Sequence, residues 1–565
     1  MTLMTKHTTC GLALAFCLLA APAAQAQTLS YGDSGDGAPR AERGDAPKAA
    51  SRARGSGVRV SPYIEAAQLV SAELSPGDDV LTYSRIAAGV DVSVTGRHTG
   101  ASASVRVEHY FGWNKGAQDG TVVSGLARGY ATVTPGLQIE AGALATRSRI
   151  DGSGSAVQGA TGSDLTAGEI YSVYAGPTLG TQLGAVRVDG GYRIGYTRIE
   201  TPDALVTAPG ATPVDVFDDS VTHNASLRVG TKAGDVLPVG VGVGAGWNRE
   251  DISNLDQRVD DRSVRGDVTV PITRDLALVG GVGYEKVEVS SRDALRDGAG
   301  NPVRGNDGRL KTDKSAPRRI AYEAEGLIWD AGVLWKPSRR TALEAHVGKR
   351  YGSTTYYGSF AYAPSDRSAF NVSVYDTVSG FGGQVNRALA ELPADFEANR
   401  DLLTGDLTGC VGSSEGGSCL SGALGSVRSS VFRSRGISAS WSQQLGRINA
   451  GVAAGYERRK FLAAPGTVLA AANGLVDENT WLAAWMNTRI GARGTLSTNA
   501  YANWFQNGGG LNGDSTALGA SAAYGHSLTS RLSATAAVGI EGVLRDAPLE
   551  NFWQASGLVG LRYSF

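Results

Sequence analysis

The sequence predicts an all-β fold: a transmembrane, antiparallel, up-and-down β-barrel of about 22 strands, with 20–24 as the range. Three observations carry this reading. From Val58 to Phe565, successive stretches alternate apolar and polar residues at the two-residue period of a strand. Tight turns alternate with longer polar connections through the same region. The last strand has an apolar face and ends on an aromatic residue, Phe565.

The chain opens with Lys6, an apolar run from Gly11 to about Ala21, and the small-residue site Ala24-Gln25-Ala26. This is the pattern of a secretory signal peptide over residues 1–26, with mature Gln27 first, so Sec-type export is expected. The apolar run is too short to span a membrane, and Cys17 reads as part of that run. Residues 1–26 hold one lysine and no acid, so the mature chain has 52 Lys+Arg against 54 Asp+Glu, a formal charge of −2. That balance argues against nucleic acid as a partner. Residues 27–57 are rich in Gly, Ala, Ser, Asp and Arg without periodicity and read as a disordered periplasmic segment.

Residues 58–565 form the predicted barrel. In "ASASVRVEHYFGW" (101–113), Ala101, Ala103, Val105, Val107, His109, Phe111 and Trp113 share one face. Ser102, Ser104, Arg106, Glu108 and Tyr110 share the other. In residues 185–197, Val186, Val188, Tyr192, Ile194 and Tyr196 oppose Arg187, Asp189 and Arg193. The stretch from Glu65 to Leu74 is ragged, and a bulge would restore its alternation. Short turns such as "GRHTG" (96–100), "TPG" (134–136), "TRD" (273–275) and "LTSR" (528–531) alternate with longer connections, the largest at 292–325 and 377–432. Short periplasmic turns and long outer loops are the rhythm of an outer-membrane barrel of a Gram-negative bacterium. Trp113, Trp247, Trp504 and Trp553 fall where strands meet long loops, and Trp329 and Trp335 bracket one strand, as aromatic belts require.

The stretch "PVGVGVGAGW" (238–247) spaces Gly240, Gly242, Gly244 and Gly246 strictly by two. A phosphate-binding loop needs uneven spacing and a following helix, so this is a strand. Its valines face lipid and its glycines face the lumen, leaving a bare strip of wall that another segment could approach.

In the last strand Trp553, Ala555, Gly557, Val559, Leu561, Tyr563 and Phe565 share a face. This resembles the closing strand of Gram-negative porin-like and autotransporter barrels, which implies that Tyr563 and Phe565 form the signal read by the barrel-assembly machinery, with periplasmic chaperones as further partners. "DDVLTYSRIAAGVD" (78–91), "SGLARGYA" (124–131), "YSVYAGPTL" (171–179), "LALVGGVGYEK" (276–286) and "DAGVLWKPSRRTALEAHVGKRYGSTTY" (330–356) resemble a family of uncharacterised outer-membrane barrels. Many of its members carry a transferred name, accessory subunit of the preprotein translocase. The true subunit is a small inner-membrane protein with one spanning helix. This chain has a cleavable leader and no such helix, so its residues do not support the name. The resemblance brings no functional residues.

Little points to chemistry. Cys410 and Cys419 lie close together in a Gly/Ser-rich stretch and read as one local disulfide, there being no histidine near in sequence for a metal. Gly412-Ser413-Ser414-Glu415-Gly416 matches a nucleophile elbow, but it sits in a loop between cysteines where the elbow needs a strand before and a helix after. The mature histidines His98, His109, His223, His346 and His526 show no serine pairing. Residues 296–313 lack calcium-loop spacing. No enzyme activity, cofactor or metal is expected.

The inward charges are more informative. Asp91, Arg106, Glu108, Arg187, Asp189, Arg193 and Asp267 are expected to face a water-filled lumen, with mixed signs. A barrel this wide leaks unless filled, and residues 27–57 are too few and too polar for the plug of a TonB-dependent transporter. Segment 377–432 is therefore expected to fold inward as a constriction, with helical spacing that puts Val385, Leu389 and Leu392 on one side. The functional expectation is a porin-like passive channel for small hydrophilic solutes. The alternatives are a structural or surface-interaction barrel closed by its loops, and an autotransporter-type barrel without passenger. Outer-membrane lipid is an expected partner of all three.

Overall fold

The computed structural model describes residues 57–150, 156–158, 167–200, 216–365, 367–413, 416–508, 513–546 and 551–565. The expected signal peptide and the polar segment 27–57 lie outside the described residues, except Gly57, which opens the first strand.

Among the described residues twenty-three strands hydrogen-bond in one sheet. One is the three-residue strand Ala156–Gln158, which extends only the end of Leu137–Ile150. The other 22 form a closed antiparallel barrel. Closure is made by the first strand, Gly57–Ser75, against the last, Phe552–Ser564, in register from Tyr63↔Ser564 to Ser75↔Trp553. Closure leaves no unpaired edge, which is the condition for a sheet to sit in lipid. No helix of the described residues is long and apolar enough to cross a membrane.

At one end the connections are short, for example between Thr95 and Thr99, Thr134 and Leu137, and Leu445 and Ile448, the longest running from Thr231 to Gly240. Both the start of the first strand and Phe565 lie at this end, opposite Thr95 and against Pro62. By the rule of short inner turns this is the periplasmic end. The long connections gather at the other end. One of them, residues 292–318, is an exposed hairpin tied by the bridges Ala294↔Thr312, Arg296↔Pro302 and Arg304↔Leu310.

The two faces of the wall follow the two-residue period. On Thr99–Gly112, Val105, Val107 and Phe111 are exposed outward, while Ser102, Ser104, Arg106, Glu108 and Tyr110 are buried inward. Apolar residues exposed all round a closed barrel have only lipid to face, and the protein is an outer-membrane β-barrel. The first strand narrows one expectation to the end of the predicted range. From Tyr63 to Ser71 the alternation is regular, with Glu65 inward, and the register shift lies at the strand end, between Glu73 and Ser75. Glu65 meets its partners, Arg85 and Arg106, on the second and third strands.

Candidate permeation lumen

The lumen is built from inward side chains of every strand and from the connection between Ser379 and Phe432. That connection contains helix α1 (Phe381–Glu391), a small sheet of Phe396–Arg400, Leu407–Ser413 and Gly416–Cys419, and the single turn Ser421–Leu424. Its contacts are with inward-facing wall residues on both sides of the barrel, so it lies within the lumen.

Helix α1 is positioned from both its ends. The Glu250 carboxylate accepts from the amides of Gly380 (2.7 Å) and Gly383 (2.8 Å), which supplies a negative charge and two acceptors where a helix start has unmet donors. Gly382 is required there, since a Cβ would stand 2.0 Å from Ser220 Oγ. Phe381, Val385 and Leu389 are wholly buried and pack with Ile170 and Ile199 of the wall and with Phe217, which lies just before strand Asp219–Thr231. The helix stops at Glu391, although helical spacing continued in sequence to Leu392. Pro393 follows and forces Leu392 into extended backbone (φ −61°, ψ 146°). Leu392 keeps its burial without being helical.

The tip between Phe396–Arg400 and Leu407–Ser413 is held by charges. Arg400 donates to the backbone oxygens of Ser104 (3.0 Å), Ser124 (3.2 Å) and Gly405 (3.0 Å). Arg85 donates to the Leu403 carbonyl (2.8 Å), and Asp406 pairs with Arg147 at 2.8 Å. Across the lumen, the Ser521 hydroxyl donates to Asp401 Oδ2 (2.5 Å), and a Cβ at Gly539 would meet Leu403 at 2.7 Å. The strands touched here span both sides of the barrel closure. Further round, Arg459 donates to the carbonyl of Ser426 (2.8 Å) and Gln257 to that of Ser429 (2.7 Å). Cys410 and Cys419 are bonded, and Cys410 packs with inward-facing Trp481 and Trp485.

Beneath the tip lies a buried charge cluster of the wall. Arg106 pairs with Glu65 (2.9 Å) and Glu108 (2.9 Å), and Arg85 with Glu65 (2.9 Å). Tyr110 donates to Glu108 at 2.9 Å. Such a cluster is sustained by mutual pairing, and removing one member strands the others without water.

The remaining sequence-selected charges lie nearer the periplasmic end and, except for the buried Asp267, are more open. Arg187 pairs with Asp189 (2.9 Å), Arg193 with Glu140 (3.1 Å), Arg228 with Asp267 (2.7 Å) and Arg562 with Asp91 (3.5 Å). The glycine strand also sits here. A Cβ at Gly242 would meet Arg228 Nη2 at 2.7 Å and Asp267 Oδ1 at 3.1 Å, and one at Gly244 only Leu227 O at 3.6 Å. The inward segment thus does not pack on Gly240–Gly244. The strip is covered at Gly242 by a wall ion pair, because long side chains of the two flanking strands lean over it. Segment and strand meet higher, at Glu250, and Arg387 of α1 helps to line a small cavity beside Gly246 and Asn248.

The histidines make no triad. His346 is inward, stacked on Tyr357, with Nδ1 3.0 Å from Asp330 and Nε2 2.9 Å from Glu344, so both ring nitrogens face carboxylates. His109 faces outward beside Thr121, His223 beside Tyr192, and His526 beside Tyr524. His98 is buried in a periplasmic turn. Ser414 and Glu415 of the elbow-like pattern lie outside the described residues, and both flanks are strands. Among the described residues no group of three His, Cys, Asp or Glu could hold a metal ion.

Sequence reasoning missed Glu65, Arg85, Arg147 and Glu250 on the wall, and Arg400, Asp401 and Asp406 on the tip. The wall residues share the inward parity of their strands, so alternation was a usable signal. Nothing periodic marks the tip residues.

No protein-family model matches the chain, and no curated protein does. Neither the transferred translocase name nor the autotransporter likeness gains support from them. Among solved structures the chain is similar to the FrpB iron transporter from Neisseria meningitidis in its apoprotein form, at 10% identity over 89% of this chain and 81% of that one, TM-score 0.41. It is also similar to the ferric-catecholate import receptor Fiu from E. coli K12 (12% identity, 89% and 81% covered, TM-score 0.41) and to the copper transporter OprC (14%, 90% and 81%, TM-score 0.35). Identity this low and superposition this partial carry no argument about what crosses the barrel.

Proposed function

We propose that the protein is a passive channel for small hydrophilic solutes, throttled by its own segment 380–431. One observation supports this above others: the seam between segment and wall runs through charged and polar groups, among them Arg85, Arg147, Arg400, Asp401 and Asp406. A polar seam can be wetted when the segment shifts, whereas an apolar one cannot. The paired charges of the periplasmic half favour neither cations nor anions. The mechanism is diffusion, with no catalytic residue and no cofactor.

Planar-bilayer recording tests the reading. Wild type should give small reproducible steps, and a chain lacking residues 384–424 should give much larger ones. Equal conductance of the two would overturn it. The second reading, a closed barrel that displays its outer loops, rests on the depth of burial of α1. It predicts a correctly folded wild type that stays silent and opens only on deletion. Tyr563 and Phe565, edge to face at 5.2 Å, are proposed as the signal for the assembly machinery and its chaperones. Removing Phe565 should then lower the yield of heat-modifiable barrel in cells without altering refolding in detergent.

A further inference from the structure

We propose that the outer face of the barrel between strands Thr341–Arg350 and Ile448–Phe461 docks a phosphorylated lipid headgroup of the outer leaflet. Lys349, Arg433, Arg435, Arg458 and Lys460 lie on this face at the extracellular ends of their strands. Outward-facing Tyr356 and Tyr456 lie just below them. Two acids share the patch, Asp376 and Glu478.

Two observations point to an anion. First, the register sets like charges directly opposite one another twice in succession, Arg435↔Arg458 and Arg433↔Lys460. Directly opposed like charges destabilise an antiparallel pair, and two such pairs stacked need a counter-charge. Asp376 answers Arg433 (2.7 Å) and Arg435 (3.2 Å), and Glu478 answers Arg458 (3.5 Å). Secondly, Lys349 and Lys460 are exposed and their ammonium groups make no ion pair or hydrogen bond among the described residues. Arg435 joins them into one surface, because it donates to the Thr354 carbonyl (2.7 Å) and Thr354 is the register partner of Lys349.

The adjoining stretch of the rim, on the strands leading up to the one that carries Lys349, behaves differently. There Arg249 and Arg258 pair with Asp251, Arg262 with Asp260, and Lys286 with Glu323 and Glu325. These four cations are each answered by an acid on the same face. The patch, by contrast, sets five cations against two acids, and it sits at the level where lipid headgroups lie. Lysines and arginines there attract anionic headgroups while the apolar wall below (Ile437, Val374, Trp441) takes the acyl chains.

The experiment uses the full mature barrel in detergent, with bisphosphorylated lipid A as probe and native mass spectrometry as readout. Wild type should retain the lipid, and the Lys349→Gln/Lys460→Gln variant should retain it roughly tenfold less well or weaker. The control Arg262→Gln/Lys286→Gln should match wild type. Dephosphorylated lipid should bind wild type and variant alike. Equal retention by wild type and the Lys349→Gln/Lys460→Gln variant would overturn the proposal. So would displacement of the lipid by inorganic phosphate at equal concentration, which would make the patch a site for free phosphate. Heat-modifiable mobility verifies folding, and if the double variant fails it the two single variants carry the same comparison.

Discussion

The two halves of the lumen share one wall and differ in what fills them. Toward the extracellular end, inward side chains such as Arg85, Glu108, Arg147 and Glu250 are nearly inaccessible, because α1 and the 396–413 hairpin occupy the space. Toward the periplasm, residues on the same strands stay open: the Asp91 side chain is 47% exposed, six positions along from Arg85, which is 1% exposed. An identical pattern of alternation therefore yields a dry ion-pair cluster in one half and, in the other, pairs that open progressively toward solvent, most of all Arg562 and Asp91. Charge in a barrel lumen takes its energetic weight from what lies over it.

The contrast can be broken most severely at Asp406. Asp406→Ala leaves Arg147 buried, its Glu108 partner 4.0 Å away, and should cost the hairpin about 3–5 kcal/mol of local stability. Hydrogen exchange of the amides around 400–411 should accelerate while that of the wall does not. Unchanged protection would mean that the ion pair does not hold the tip. Next comes Leu389→Ala, which opens a cavity between α1 and the wall and should loosen the helix by about 2–5 kcal/mol. Limited proteolysis of the folded barrel should then cut within 380–431, and resistance equal to wild type would count against α1 as the apolar anchor.

Replacing both Cys410 and Cys419 by serine releases a short loop and should cost roughly 2.5 kcal/mol of hairpin order. Single-channel noise is the readout, and a trace as quiet as wild type would show the disulfide idle. The smallest effect belongs to the open half. Asp91→Asn removes an exposed pair worth roughly 1 kcal/mol at most, so thermal stability should be unchanged within error. A large loss there would erase the distinction between the halves.

Much of the barrel was legible because its rules are local. A two-residue period places Arg106 and Glu108 inward and Val105 and Val107 outward whatever the neighbouring strands are. Turn lengths separate the two ends, and Pro393 already marks where α1 must stop. Pairing across strands was less legible. Glu65 sits on the first strand and serves Arg85 on the second and Arg106 on the third, a set of partners that no single-strand reading contains. The covering of Gly242 by Arg228 and Asp267 depends on two flanking strands, which no single-strand pattern contains.

By itself the sequence determined the wall: strand period, turn rhythm, the inward or outward sense of each side chain, and a long non-periodic connection at 377–432. Backbone hydrogen bonding in lipid leaves a closed sheet as the only solution for such a pattern. The tertiary structure decided which walls that connection touches. Arg400 finds the carbonyls of Ser104 and Ser124, and Asp406 finds Arg147, through contacts between residues more than 250 positions apart. No local period encodes such distances. They are set by barrel closure, which brings the first strands and the segment beyond Ser379 into one enclosed space.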